Sequence, residues 1–322
     1  MKEFYVAALG ELLIDFTADG TLSSQGNRLF EANPGGAPCN VLAMLQKLGR
    51  HTAFIGKVGN DTFGKMLKNT VQNAGINTDN LLTDDSVPTT LAFVHNAPDG
   101  DRSFSFYRNP GADMMLRSEE IDLNLIKNSR IFHFGTLSMT DSGIESATKT
   151  AIDAAKQSGA IISFDPNLRP PLWKNLDTAK EKIQYGLSLC DVLKISDDEI
   201  AFLTGTDDVD KGIDLIRKEY DILLICATMG RKGSKAYYKD IAVSHEAFLD
   251  VNAIETTGAG DTFMACVLDA VLKNDLYGFS EQKLYDMMTF ANAASAIITT
   301  RRGALKVMPQ KEEVLNFLSE HT

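Results

Sequence analysis

The pattern of apolar and polar positions changes period along the chain. Residues 4–9 (Phe-Tyr-Val-Ala-Ala-Leu) form a short continuous apolar run, which reads as a strand buried on both faces. In 37–48 the apolar positions Val41, Leu42, Leu45 and Leu48 share one helical face. A strand is predicted over 52–57 and a helix over 61–73. The stretches 89–95 and 102–107 alternate apolar with polar residues, as strands with one face in solvent do. From about 118 onward helix and strand periods alternate. Strands are predicted at 131–134, 161–164, 191–195 and 221–226, with helices over 141–157 and 177–189. A hairpin-like pair follows at 233–238 and 241–245, and the last third is helical over 258–273, 280–299 and 310–319.

This alternation predicts an α/β fold, a mainly parallel sheet with helices on both faces. The β-rich segments near 15–33 and 89–108 break the rhythm and predict a small second sheet, a lid inserted into one domain spanning 1–322. No Pro/Gly/Ser-rich linker divides the chain.

Composition narrows the partners. The 322 residues carry 32 basic and 43 acidic side chains, a formal net charge of −11. That disfavours nucleic acid and anionic membranes, which select basic patches. The four cysteines (Cys39, Cys190, Cys226, Cys266) are scattered, with no zinc-ligand spacing, and read as buried thiols. With no signal-like N-terminal segment and no apolar run near 18 residues, the expectation is a cytoplasmic protein.

Two phosphate-binding patterns fail on inspection. Gly59-Asn-Asp-Thr-Phe-Gly64-Lys65 is followed by Met66 where a P-loop needs a hydroxyl, so it reads as a turn and helix start. No G-x-G-x-x-G occurs, so dinucleotide chemistry has no support. The strongest signal is Glu255-Thr-Thr-Gly258-Ala259-Gly260-Asp261-Thr-Phe263, small residues opening a helix. Its first-turn N–H groups have no helical acceptors and favour anions. Asp261 there is either a proton acceptor or a plain capping carboxylate. Asn33-Pro-Gly35-Gly36-Ala-Pro-Cys-Asn40 exposes backbone before a helix, and Asn40 offers a donor and an acceptor to a polyol. Asp15, at the carboxyl end of an apolar run, is equally a sugar-hydroxyl acceptor or a solvated strand end.

Together the Gly35–Gly36…Asn40 and Gly258–Asp261 segments resemble the two signatures of the ribokinase-like carbohydrate kinase family, and the resemblance covers nearly all of the chain. Within the family the chain is most similar to fructokinases, through Ala8-Leu-Gly-Glu-Leu-Leu-Ile-Asp15-Phe16, Pro34-Gly-Gly-Ala-Pro38 and Phe106-Tyr-Arg108-Asn-Pro-Gly-Ala-Asp113. The resemblance implies a Rossmann-like core with a β-sheet lid, ATP and Mg²⁺ as cosubstrates, and a homodimer paired through the lids. It implies Asp261 as general base, Gly258, Ala259 and Gly260 as the oxyanion hole, and Arg169, in Asp165-Pro-Asn-Leu-Arg169, on the transferred phosphoryl. Asp15, Gly35, Gly36, Asn40 and Arg108 correspond to sugar contacts. Thr228, Gly230 and Gly233 resemble the nucleotide loop, and Asn292 an adenine-side contact. Glu199 corresponds to an indirect aid to the metal.

Two departures stand out. Ser196 replaces the usual Asn of the Asn-x-x-Glu motif that ends at Glu199. Glu255 stands where Asp usually opens the Thr-Thr-Gly-Ala-Gly-Asp segment, beside a monovalent-cation (K⁺) region that the longer carboxylate is expected to relax. The expected reaction moves the γ-phosphoryl of ATP to the 6-hydroxyl of fructose. The rival readings are 2-keto-3-deoxygluconate kinase, another sugar kinase of the family, and a catalytically idle sugar sensor.

Overall fold

The structure, a computed structural model, describes residues 2–96 and 102–321. The chain enters on β1 (Phe4–Leu9) and leaves it for β2 (Leu13–Leu22) and β3 (Arg28–Gly35). It returns through α1 (Ala37–Lys47), β4 (Thr52–Gly59), α2 (Thr62–Asn73) and β5 (Asn77–Asp84). Strands β6 (Leu91–Asn96) and β7 (Arg102–Tyr107) then pair beside β2. The remainder is α3 (Leu123–Lys127), β8 (Ser129–Gly135), α4 (Ser142–Gln157), β9 (Ile161–Asp165), α5 (Leu176–Leu187), β10 (Val192–Ser196), α6 (Asp197–Thr204) and α7 (Val209–Glu219), then β11 (Leu224–Thr228), β12 (Ser234–Tyr238), β13 (Ile241–His245), α8 (Ala259–Asn274), α9 (Glu281–Thr299) and α10 (Lys311–His321).

The main sheet runs β13-β12-β11-β10-β9-β8-β1-β4-β5 and the small one β3-β2-β6-β7. Strands β11 through β5 pair in parallel, while β12 and β13 close one edge antiparallel. Alternation along β1 shows why its sequence is a solid apolar run. Val6 and Ala8 enter one core with α1, α8 and α9, and Ala7 and Leu9 enter the other with α4. From β1 the chain winds to β4, and from β8 it winds the opposite way. The crevice at the carboxyl ends of β1 and β8 is therefore the switch point where such sheets bind ligands.

The predicted α/β architecture and the second sheet are both present. Three details differ. The strand expected at 221–226 begins at Leu224, after the Tyr220–Ile222 turn. Helices α3, α6 and α7 fill stretches with no predicted element. Strand β5 (Asn-Thr-Asp-Asn-Leu-Leu-Thr-Asp) lies at the sheet edge, and its polar residues hid it. Its buried Asn80 is satisfied by donating to the Glu120 carbonyl at 2.9 Å and accepting from Asp122 N at 2.7 Å. The P-loop look-alike is a helix start, since Asp61 caps α2 by accepting from Gly64 N at 2.7 Å.

Candidate active site

A cavity of about 620 Å³ opens at the switch point, between the main sheet and the root of the small one. Glu11 and Leu13 reach it after β1, Leu137 after β8, and Phe106 from β7.

The entrance of α1 forms one wall. Gly36 has φ 136°, and a side chain there would strike the Glu11 carbonyl. A side chain at Gly35 would strike the Asp15 carboxylate, so the glycine backs directly onto that carboxyl group. Glu11 Oε1 accepts from Ala37 N at 2.8 Å, anchoring the turn. Burial pushes the Glu11 carboxyl up to about 7 against its backbone bonds. Asp15 is likewise pushed up to about 7, by burial first, with Arg169 opposing and Glu255 and Asp261 adding to it.

The opposite wall is the first turn of α8. Gly258 caps it in the left-handed region (φ 78°), where a Cβ would sit 2.8 Å from that of Ala304. The turn is pinned because the Ala259 carbonyl accepts from Ser295 Oγ at 3.0 Å. Gly260 and Asp261 line the cavity, and their N–H groups precede the helix's own acceptors. Asn40 Nδ2 donates to Asp261 Oδ2 at 2.8 Å, bridging 221 residues of sequence. Asn40 Oδ1 is buried without a partner. Asp261 is raised to about 6: burial dominates, the Asn40 bond opposes it, Asp165 adds to it, and Lys194 and Arg169 oppose it.

The floor comes from the ends of β9 and β10. Arg169 lines the cavity and holds the Leu168 carbonyl at 3.2 Å. Glu199 does not stand free. Its two oxygens accept from Leu168 N and Ser196 N, each at 2.8 Å, locking the two strand ends together. Ser196 Oγ caps α6 by accepting from Glu199 N at 3.3 Å, a role that a short hydroxyl side chain fills well. Asp198 is exposed at the rim. Glu255 is buried outside the lining and accepts from Thr257 Oγ1 and, at 3.1 Å, from Gly303 N.

The remaining predicted residues lie elsewhere. Thr228, Gly230, Gly233 and Asn292 are off the cavity but together. Asn292 Nδ2 donates to Ser234 Oγ at 2.7 Å, setting α9 against the 228–233 loop. That loop adjoins the cavity because Thr228 pairs with Ser196 across β10 and β11. Arg108 is not aimed at the main cavity. Its Nε and Nη2 each lie 2.7 Å from Asp113 Oδ2, Nη1 donates to Thr140 Oγ1 and Nη2 to the Leu137 carbonyl. It lines a neighbouring pocket with Trp173 and Thr140.

Sequence reasoning missed Glu11 and Lys194. The signal for Lys194 was a single charge inside the apolar run Val192-Leu-Lys-Ile. Among the described residues no cluster of three or more His, Cys, Asp and Glu is arranged to cage a metal, and no helix is long and apolar enough to cross a membrane.

Comparison with known proteins identifies the family. Residues 3–311 match the profile of the pfkB family of carbohydrate kinases. Fructokinase-2 of Zea mays is 42% identical over 305 residues, covering 94% of this chain and 91% of the relative. The structure of Xylella fastidiosa fructokinase with bound ATP superposes with TM-score 0.90 at 33% identity, covering 100% and 99% of the two chains. Vibrio cholerae O395 fructokinase, solved with fructose, ADP and calcium, gives TM-score 0.88 at 29% identity over 98% and 99%. The two glycine turns, one wall of the cavity each, are thus set in a chain that belongs to the pfkB family of carbohydrate kinases.

Proposed function

We propose that this protein transfers the γ-phosphoryl of ATP to the 6-hydroxyl of fructose, with Asp261 as general base. The Asn40–Asp261 bond carries the reading, since it joins the polyol-facing turn to the anion-binding turn in one cavity. In the reaction the bond from the γ-phosphorus to the β–γ bridging oxygen breaks, a bond to the sugar oxygen forms, and the hydroxyl proton passes to the Asp261 carboxylate. With a pKa of about 6, Asp261 is mostly ionised at neutral pH and a better base than a free carboxylate. Arg169 pairs with the transferring group, as a planar guanidinium does with phosphate oxygens. The catalytic effect is mainly positioning and electrostatic stabilisation.

A neutral ketose suits this cavity better than a sugar acid. Its lining holds the carboxylates of Glu11, Asp15, Asp198, Glu199 and Asp261, against the cations of Arg169 and Lys194. Arg108, a cation at the neighbouring pocket, is paired with Asp113. The acidic rim also fits Mg²⁺, which keeps several waters and takes its remaining ligands from nucleotide phosphates and one or two carboxylates. Asp198 would hold it, with the buried Glu199 beneath adding negative charge and reaching the ion only through water. The nucleotide extends over Thr228–Gly233 toward Asn292.

The small sheet acts as a lid within one domain, and exposed Leu22, Leu29, Phe30 and Tyr107 on it support a homodimer paired there. Four free, buried thiols support a reducing, cytoplasmic setting. A coupled ADP-release assay over a panel of ketoses, aldoses and 2-keto-3-deoxygluconate tests the substrate. Fructose is expected to give the highest kcat/KM, and a preference for the keto acid sinks this assignment.

A further inference from the structure

Beneath the first turn of α8 lies a buried ion pair that belongs to neither glycine motif. The parallel register of β9 and β10 sets Lys194 beside Asp165, and Lys194 Nζ stands 3.1 Å from Asp165 Oδ2 and 3.3 Å from Oδ1. Both side chains are almost fully enclosed, at 8% and 4% exposure. Leu193 and Ile195 point into the core on the far side of the sheet, so Lys194 points toward α8. A Cβ at Gly260 would come 3.1 Å from Nζ, so the missing side chain lets the ammonium rise against the anion-binding turn. Lys194 also lines the cavity.

A buried ion pair is a poor device for stability, because apolar residues of the same size serve as well. What lysine adds at this point is positive charge on a flexible stem, where the wall is otherwise acidic. Asp165 faces it from β9, Glu199 from α6, Asp261 from α8 and His133 from β8. Burial alone lowers the lysine pKa, but Asp165, Glu199 and Asp261 outweigh it and the net shift is upward, so the ammonium stays charged. His133 is held neutral, its pKa down to about 3, first by burial and then by Lys194.

We propose that Lys194 is a catalytic residue whose ammonium contacts the transferring phosphoryl group from the sheet side of the Gly258–Gly260 turn, with Asp165 holding it in place between turnovers. This rests on the kinase reading above. Lys194 exchanges no proton in the transfer. It offsets negative charge on the transferring group and, by the same field, keeps Asp261 ionised.

The test compares wild type, Lys194→Gln and Lys194→Arg by turnover, by calorimetric binding of the non-hydrolysable analogue AMP-PNP and of ADP, and by pH profile. The Gln variant is expected to lose turnover by about 10²-fold with little change in fructose KM. It should lose affinity for AMP-PNP more than for ADP, and its acidic limb should move to higher pH. The Arg variant keeps the charge and so keeps the limb in place. Equal losses for the two nucleotides, or a Gln variant within about threefold of wild-type turnover, overturn the Lys194 assignment alone. A wild type with no ATP-dependent turnover on any sugar sinks the kinase reading itself. If the Gln variant fails to fold because Asp165 is stranded, Asp165→Asn is compared with Asp165→Asn/Lys194→Gln. The double variant must then show the selective loss of AMP-PNP affinity and the raised limb relative to the single, and no difference between them overturns the proposal.

Discussion

Asn40 Nδ2 lies 2.8 Å from Asp261 Oδ2, so the amide at the entrance of α1 holds the carboxylate in the first turn of α8. One oxygen of Asp261 is thereby fixed and the other left for a ligand. A proton acceptor oriented in this way needs no rearrangement before it acts.

Asp261→Asn keeps the shape and removes the charge. Turnover is expected to fall by about 10²- to 10⁴-fold while fructose and ATP still bind. Steady-state kinetics beside calorimetry on one preparation checks this. A folded variant keeping more than about a tenth of wild-type turnover moves the base elsewhere, with Asp15 next in line.

The base must be ionised, so kcat/KM is expected to fall as pH drops through about 6. Asp15 and Glu11 titrate near 7 in the same cavity, so the limb is a property of the group rather than of one residue. The Asn40 bond favours the charged form of Asp261. Asn40→Ala should therefore shift the limb upward and cost more activity at pH 6 than at pH 8. A pH profile with an unmoved limb contradicts the role given to that bond.

Asp15 costs the fold stability at neutral pH. Its pKa rises from 3.8 to about 7 on folding, chiefly by burial. The folded state therefore binds more protons than the unfolded one between those values, and stability falls as pH rises across that window. Above it the penalty is complete. Asp15→Asn at pH 8 should raise Tm by about 2 °C or more while weakening fructose binding. A lowered Tm at pH 8 together with intact sugar affinity overturns this reading.

Arg108 was expected to touch sugar, and its engagement with Asp113, Thr140 and Leu137 changes the forecast. Arg108→Ala strands a buried carboxylate, an effect on the order of 3–5 kcal/mol. Urea denaturation should show that loss, and Arg108→Met/Asp113→Leu should recover much of it. A stable Arg108→Ala protein with raised fructose KM restores the original assignment.

Glu255 is held by Thr257 and Gly303 inside the wall. Replacing potassium by a large organic cation is accordingly expected to lower turnover only slightly. Collapse of turnover in potassium-free buffer shows the opposite.

Long-range chemistry was legible where a local signature carried it. The glycine turns at 35–36 and 258–260 announce backbone that a ligand can approach, whereas the helix start leaves Asp261 either a proton acceptor or a cap, and its reading as the base comes from the family resemblance. The buried parallel strands were legible because both of their faces are apolar. Strand β5 was not, because an edge strand needs few apolar residues and its Asn80 is satisfied by backbone far away in sequence. The Lys194–Asp165 pair depends on the register between two strands, which no local pattern encodes. Arg108 has the sequence surroundings of a ligand contact, and only packing reveals that most of its donors are engaged by Asp113, Thr140 and Leu137. Glu199 lines the cavity, and its bonds to Leu168 N and Ser196 N make it a brace between the ends of β9 and β10.

The enclosed cysteines give the molecule an internal clock. Burial raises all four thiols above their ordinary range, so a disulfide reagent meets almost no thiolate in the native state. Labelling of each sulfur then reports how often its surroundings open. Cys39 adjoins Asn40 in the α1 wall of the cavity, Cys266 lies five residues beyond Asp261 in α8, the opposite wall, and Cys190 and Cys226 sit at and within the main sheet. Sites modified in sequence by mass spectrometry thus record which wall breathes first and which of the two substrates quiets it.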